Sequence, residues 1–251
     1  MLVALCLILL LWLVLSESGA VPKYMLPSPI DVSKALINDF PIIIRHAQIT
    51  LQEGIYGLLI GIALAFITAT LMDSFFVLNQ AIYPIMIITQ TIPTIAIAPM
   101  LVLWFGFGMA PKIMLVIITT FFPITVSLLD GYKSVDSSAV ELMRSMGASK
   151  IQIFHHLKFP SALPSFFSGI KISSSYAIVG ALISEWLGGF EGLGVYMTRV
   201  KKAYAFDKMF AVIIFIIIMS LLLMSLVKLI AKISMPWETV KKAESLDTNF
   251  V

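Results

Sequence analysis

Few residues in this 251-residue chain could do covalent chemistry, and their spacing argues against it. Cys6 is the one cysteine and lies in an apolar run, so there is no disulfide framework and no CxxC metal pair. His46, His155 and His156 have no second ligand set at metal-binding spacing, and no metal site is expected. No G-x-x-x-x-G-K occurs anywhere, so the chain is not expected to hydrolyse ATP or to hold a cofactor. Gly188, Gly189, Gly192 and Gly194 read as a turn and a close helix start rather than a phosphate cradle.

What remains is non-covalent chemistry, and it concentrates in the polar stretch 130–164. Ser138-Ala139-Val140-Glu141 reads as a capping box. Ala139, Leu142, Met143 and Met146 follow at i, i+3, i+4 and i+7, one apolar stripe. Gly147 supplies the left-handed residue that ends a helix. Ser149-Lys150-Ile151-Gln152 is a second capping box, followed by Ile153, Phe154 and Leu157 towards one side and His155, His156 and Lys158 towards the other. Pro160 and Pro164 limit how far that helix can continue regularly. The pattern predicts two short amphipathic helices meeting at a glycine corner outside any bilayer. Such a pair can dock in a partner's groove or rest on lipid headgroups, and periodicity alone does not choose.

Polar residues inside apolar runs are the second group. Gln90 and Thr94 are four apart, and Ser173, Tyr176, Gly180 and Ser184 fall at i, i+3, i+7 and i+11. Polar groups in hydrocarbon face protein or a water-filled path, so these two faces are candidates for lining a translocation pathway. For Ser173 and Gly180 close helix packing is an equally simple reading. Pro93, Pro99 and Pro123 predict kinks, either hinged or static. Glu185 reads as a solvated residue at a span end, the alternative being a group that helps receive substrate or a docked binding protein.

The elements that carry these residues follow from composition. The chain is 59% hydrophobic and 12% charged, with net charge +3 and mean hydropathy +1.00. A soluble domain carries about 25% charged residues, so this one lacks the polar surface that water demands. The small charge gives no case for nucleic acid. Apolar runs occupy Met1–Leu15, Ile55–Leu71, Ile82–Phe105, Ile113–Leu129, Phe166–Leu187 and Phe210–Ile233, which predicts an all-α membrane protein of six spans. The first run is short, and Ser18-Gly19-Ala20 also permits a signal-peptide reading. Between the runs, 106–111 is a tight turn and 188–208 a glycine-rich, then basic, loop. The expected organisation is a first transmembrane helix at 1–16, an extracytoplasmic loop at 17–49, a five-span core at 50–233 with the polar loop 130–164, and a cytoplasmic tail at 234–251. Lys and Arg divide almost evenly between the two sides, so charge does not orient the chain.

Glu141-Leu142-Met143-Arg144-Ser145-Met146-Gly147, nine residues, then Leu157-Lys158-Phe159-Pro160 resembles the EAA motif of ABC importer permeases. The spacing matches throughout, although Leu142 and Met143 replace the two alanines. Gln90-Thr91-Ile92-Pro93, Leu103-Trp104-Phe105-Gly106-Phe107-Gly108 and Ser184-Glu185-Trp186-Leu187-Gly188-Gly189 resemble the nitrate/sulfonate/taurine branch of that family. The resemblance implies a type I permease fold in a bacterial cell membrane, with both termini and the EAA loop in the cytoplasm. It implies that Glu141, Gly147, Ala148, Ser149 and Pro160 couple to an ATP-binding subunit dimer, which would use the ATP. The implied partners are an extracytoplasmic substrate-binding protein and a second permease copy, a homodimer being the simpler choice. The implied cargo is a small polar solute: a sulfonate, taurine, nitrate or a pyrimidine precursor of thiamine. A secondary transporter is the competing reading, and would want ionisable residues at mid-membrane depth.

Overall fold

In the computed structural model, residues 2–18, 21–22 and 24–237 are described, and among them every regular element is helical. Gly19 and Ala20 of the signal-peptide reading, and nearly all of the tail 234–251, lie outside the described residues. The helices run in order: α1 Leu2–Glu17, α2 Pro29–Asn38, α3 Phe40–Ser74, α4 Phe76–Thr91, α5 Thr94–Phe105, α6 Ala110–Lys133, α7 Ser137–Ser145, α8 Lys150–Ile153, α9 Phe159–Gly188, α10 Leu193–Lys202 and α11 Phe206–Ser234. A π-helical turn, Phe154–Lys158, joins α8 to α9. Four helical stretches are long and apolar enough to cross a bilayer: α3, α6, Lys150–Gly188 and α11. The α4–α5 pair passes the same test together, and α1 is a shorter apolar helix. Each of the six apolar runs therefore carries a helix.

Several boundaries differ from the expectation, each for a local reason. The stretch expected as a loop at 17–49 contains α2 and the start of α3. Ser28 caps α2 by accepting from the Asp31 amide, and Pro29 suits the first turn because its missing N–H would have had no partner. The second span starts at Phe40 instead of Ile55 because Ile43, Ala47 and Thr50 are already buried against the bundle. The third run breaks at Ile92-Pro93, where α4 and α5 meet at 99°. Proline disfavours the helical conformation in the residue before it, and Ile92 is extended at φ −84°, ψ 122°. Pro84, Pro99 and Pro123 stay inside their helices. The 188–208 loop contains α10.

The core is built on α3, α6 and α9, whose buried residues include Ala65, Val116, Ile124, Ala177, Ile178 and Ala181. Lipid supplies no hydrophobic drive between helices, so close backbone approach has to supply the packing. Gly57 and Gly61 do this on α3: a Cβ at either would collide with Val116 or Thr120 of α6. The outward faces stay apolar, as at Leu103, Leu222 and Ile233, which suits contact with hydrocarbon. The α1 helix packs loosely, through Trp12, which donates to the Pro27 carbonyl at 3.0 Å and lies against Phe210.

Candidate functional site: a capped corner and an uncharged cavity

The corner forms as a rigid unit. Gly147 has φ +85°, the left-handed conformation in which glycine escapes the Cβ penalty. Its N–H bonds the Arg144 carbonyl, and the Ala148 N–H bonds the Met143 carbonyl, the paired bonds of a Schellman ending. Two residues on, Ser149 opens α8: its Oγ accepts from the Gln152 amide, and the Gln152 Oε1 accepts from the Ser149 amide. The second capping box is therefore present. The first is not. Asp136 caps α7, accepting from the Ser138 amide at 2.9 Å, so the helix starts two residues earlier and leaves Glu141 exposed without a reach back to the cap. A carboxylate beside the first amides outranks a serine two residues later.

The α7 helix buries no residue in this chain. Leu142, Met146 and Ile151 are 63%, 78% and 80% exposed, and a hollow of about 310 Å3 lies beside them between Met143, Gly147 and His156. A nine-residue helix is marginal in water unless its apolar face is covered.

The second helix of the corner is not short. From Lys150 the backbone stays helical to Gly188, a 39-residue stretch. The regular α-helix does break just before Pro160, but the expected short length fails because one π turn absorbs the proline and the helix goes on. The Phe159 amide reaches back five residues to the Phe154 carbonyl, and Pro160 falls in the first turn of α9, where its missing N–H costs least. At 1.5 Å per residue the stretch is about 58 Å long. Its base is braced: Lys158 pairs with Asp73 at the end of α3 at 2.8 Å, and Phe154 packs on Tyr132, whose hydroxyl meets Thr70 at 3.1 Å. Motif reading had not singled out Asp73 or Thr70.

The pathway candidates divide. Gln90, Thr94, Tyr176 and Gly180 come together around a cavity of about 280 Å3 between the α4–α5 break, α6 and α9, with Thr89 and Thr119 beside them. The bend brings Gln90 and Thr94 to the same hollow although no continuous helix face joins them. Ser173 and Ser184 do not reach it. Ser173 is buried and donates to the Thr120 carbonyl at 3.2 Å, and the Ser184 hydroxyl is buried without a partner.

At the end opposite the corner, a buried polar cluster replaces the expected solvated Glu185. Glu185 is 1% exposed. It accepts from the Thr50 hydroxyl and from the Gly194 amide, both at 2.6 Å. Thr50 in turn accepts from the Leu193 amide, and His46 Nδ1 accepts from the Gly192 amide. The first amides of α10 are thus capped by side chains of α3 and α9, in place of a local cap. A carboxylate there also meets the positive end of the helix dipole. Gly192, at φ +122°, lies so close to the Glu185 carboxyl that a Cβ would overlap it. Next to this cluster Lys112 pairs with Glu53 at 2.7 Å, the two side chains being 6% and 1% exposed. The apolar runs, read as starting at Ile55 and Ile113, left both residues outside the spans.

The α10 helix is fastened at a second point. Tyr196 donates its hydroxyl to Asp39, and Lys208 pairs with the same carboxyl at 2.8 Å. Burial alone would raise Asp39, but the Lys208 and Tyr196 hydrogen bonds and the lysine charge together hold it below the usual carboxylate range. Burial and the Asp39 charge push the Tyr196 phenol up. Among the described residues no group of three metal-binding side chains occurs.

Comparison with known proteins places this geometry. Residues 57–236 match the family described as the inner membrane component of binding-protein-dependent transport systems. The chain is 36% identical to a probable ABC transporter permease protein of Haemophilus influenzae, over 86% of this chain and 88% of that one. It is 38% identical to the formylaminopyrimidine transport permease protein ThiX of Halalkalibacterium halodurans, over 85% and 86% respectively. An amino acid ABC transporter of known structure has the same fold, with a TM-score of 0.65 at 15% identity, over 78% of this chain and 95% of that one. The chain belongs to the binding-protein-dependent ABC importer permeases. It is a multi-pass membrane protein and, by family, the permease subunit of an ABC importer.

Proposed function

We propose that the α7–α8 corner is the element through which an ATP-binding subunit dimer drives this permease. In this reading the corner lies in the bacterial cytoplasm and docks in a groove of one ATPase subunit. A second copy of this chain presents the other corner and completes the pathway. ATP is used on the partner, and a binding protein delivers solute at the α10 end. Gly147, Ala148 and Ser149 set the corner's angle, Glu141 presents charge beside the apolar stripe, and Pro160 with its π turn sets the angle at which the corner meets the long helix. The cavity at Gln90, Thr94 and Tyr176 is the passage, with Ser173 and Ser184 packing behind it. The solute is small and polar: a sulfonate, taurine, nitrate or a pyrimidine precursor of thiamine.

The observation that carries this reading is an amphipathic helix that buries nothing, set on a doubly capped corner whose second helix runs on through one π turn as a 39-residue stretch. A push at such a corner moves a whole span as a rigid body, as alternating access requires. Headgroup contact would not need the Schellman ending and the capping box back to back. Buried Glu185 and the Lys112–Glu53 pair are features an ion-coupled transporter would share, but Lys112 and Glu53 bind each other and Glu185 is held by Thr50 and the Gly194 amide.

The test uses the whole transporter in vesicles. Gly147→Asp and Glu141→Lys are expected to lower uptake at least about tenfold while ATP hydrolysis persists and the melting temperature of the permease is unchanged. Normal uptake by both variants would overturn the reading.

A further inference from the structure

Lys171 stands at mid-membrane depth, and the helix beside it fixes that level. Two positions later on α9, Ser173 donates to the Thr120 carbonyl of α6. Two positions earlier, Gly169 packs on Ile124 and Ser127 of the same helix. Thr120 and Ile124 bracket the centre of α6, a 24-residue span, which at 1.5 Å per residue is about 36 Å long. A hydrocarbon layer about 30 Å thick leaves about 15 Å on either side of that level. A four-carbon lysine stem reaches only about 6 Å, so the ammonium does not reach a headgroup from there.

Lys171 is exposed in this chain and, among the described residues, its side chain has no hydrogen-bond or ion-pair partner. The face around it is polar. Ser168 and Tyr176 are exposed and Ser175 is half-exposed, and with Lys171 they fall within an arc of about 140° on α9, at 100° per residue. The open face of α3 at this depth is different. Gly61 packs on Thr120, and the exposed residues beside it are aliphatic, Ile60 and Leu64. Aliphatic faces suit lipid, whereas a charge at this depth belongs on a protein contact or a water-filled path.

Resting on the reading of the Gln90–Tyr176 cavity as the passage and of a second copy as its other wall, we infer that Lys171 is a specificity-determining residue whose ammonium bars cations from that passage. Tyr176 lines the cavity, and Lys171 lies about 7.5 Å further along the same helix towards the corner. A solute leaving the cavity for the corner end passes it. The cavity itself is lined, among the described residues, by no charged side chain. A path wide enough for a polar solute also admits sodium ions and water, so a fixed positive charge is what separates solute from cation.

No carboxylate stands at this level to cancel the charge. Glu53 and Glu185 lie towards α10, where Lys112 holds the first and Thr50 with the Gly194 amide holds the second. Asp73 pairs with Lys158 at the corner end, and Asp130 lies in the last turn of α6. A twofold-related copy adds a second Lys171 at the same depth and no counter-charge. A cation at this point would meet two like charges with little bulk water to screen them. A carrier that couples to a cation would need the opposite sign here.

Cys6 is the only native thiol, so in Cys6→Ser an introduced cysteine reports alone. In the assembled transporter, Ser175→Cys, one turn from Lys171, would be reacted with neutral methyl methanethiosulfonate and with its cationic trimethylammonioethyl analogue. Each rate is divided by that reagent's rate at Met25→Cys, an exposed position outside the passage. Adding Lys171→Gln should raise the cationic-to-neutral ratio at least about tenfold, and Lys171→Arg should leave it unchanged. In vesicles whose transporter is hydrolysing ATP, Lys171→Gln should likewise raise sodium leak at least about tenfold, and Lys171→Arg should not. Removing a charge that has no partner leaves no group unsatisfied, so the glutamine does not threaten the fold. An unchanged ratio in Lys171→Gln would overturn the inference and leave the passage reading standing. A raised ratio without a rise in sodium leak would overturn the barrier, and a rise in Lys171→Arg as well would remove charge as its cause. Failure of both reagents at Ser175→Cys and at Tyr176→Cys would sink the passage reading itself.

Discussion

Lys112→Met isolates the largest electrostatic commitment in the bundle. Glu53 is 1% exposed, its Oε1 accepts from Lys112 at 2.7 Å, and its Oε2 has no partner. Removing the ammonium leaves a buried acid whose one hydrogen bond is gone, beside a second buried acid, Glu185. Breaking a buried pair from one side costs about 3–5 kcal/mol. For a chain of this size each kcal/mol moves a thermal midpoint by roughly 2–4 °C, so Lys112→Met should melt about 6–20 °C below the parent in detergent. Replacing both partners at once is frequently neutral, so Glu53→Gln with Lys112→Met should recover most of the loss. The double-mutant cycle is read by the melting of the purified permease, with a coupling of about 2 kcal/mol or more expected. If the double variant is as unstable as the sum of the two singles, the pair is not the buried unit described above and the reasoning fails.

Two further outcomes follow from the packing and the charges. Gly57→Leu forces a branched side chain into Val116 at the α3–α6 contact, and should cost about 1–3 kcal/mol in the same melting assay, whereas the exposed Leu59→Ala should cost under about 1 kcal/mol. Asp39 is held below its ordinary range, so its ion pair stabilises the fold above about pH 4 and that contribution is lost as pH falls through the depressed value. Melting should therefore drop between pH 6 and pH 3 by more in the parent than in Asp39→Asn, and an equal drop in both would remove Asp39 from the account.

How much the sequence disclosed depended on whether a residue's partner was local. The corner was legible because Ser149 with Gln152, and Gly147 with Met143 and Arg144, interact within a few positions. The Asp136 cap was missed although it too is local, because Ser138 and Glu141 offered a competing register. The π turn was missed because proline in the first turn of α9 marks a limit to regular helix without saying that the backbone widens over the five residues 154–158 and goes on. The outer cluster was illegible for a different reason. Glu185 meets Thr50 across 135 positions, and Lys112 meets Glu53 across 59, so no window of sequence contains either pair. Charged residues at the margins of apolar runs look like the ends of spans when each run is read alone. The grouping of Gln90, Thr94 and Tyr176 was half-legible: the residue types marked them, but the 99° bend decided which faces meet.

The central claim, that the α7–α8 corner is the ATPase dock, is tested most directly by placing a photo-crosslinking amino acid at Met146 or Ile151, the two most exposed apolar residues of the corner. A third position, Tyr24, at the opposite end and 64% exposed, serves as control. Irradiation of the assembled transporter in membranes should join the ATP-binding subunit to the permease from Met146 and Ile151 and not from Tyr24. Crosslinks from the corner to lipid alone, with the ATP-binding subunit captured elsewhere or not at all, would contradict the account.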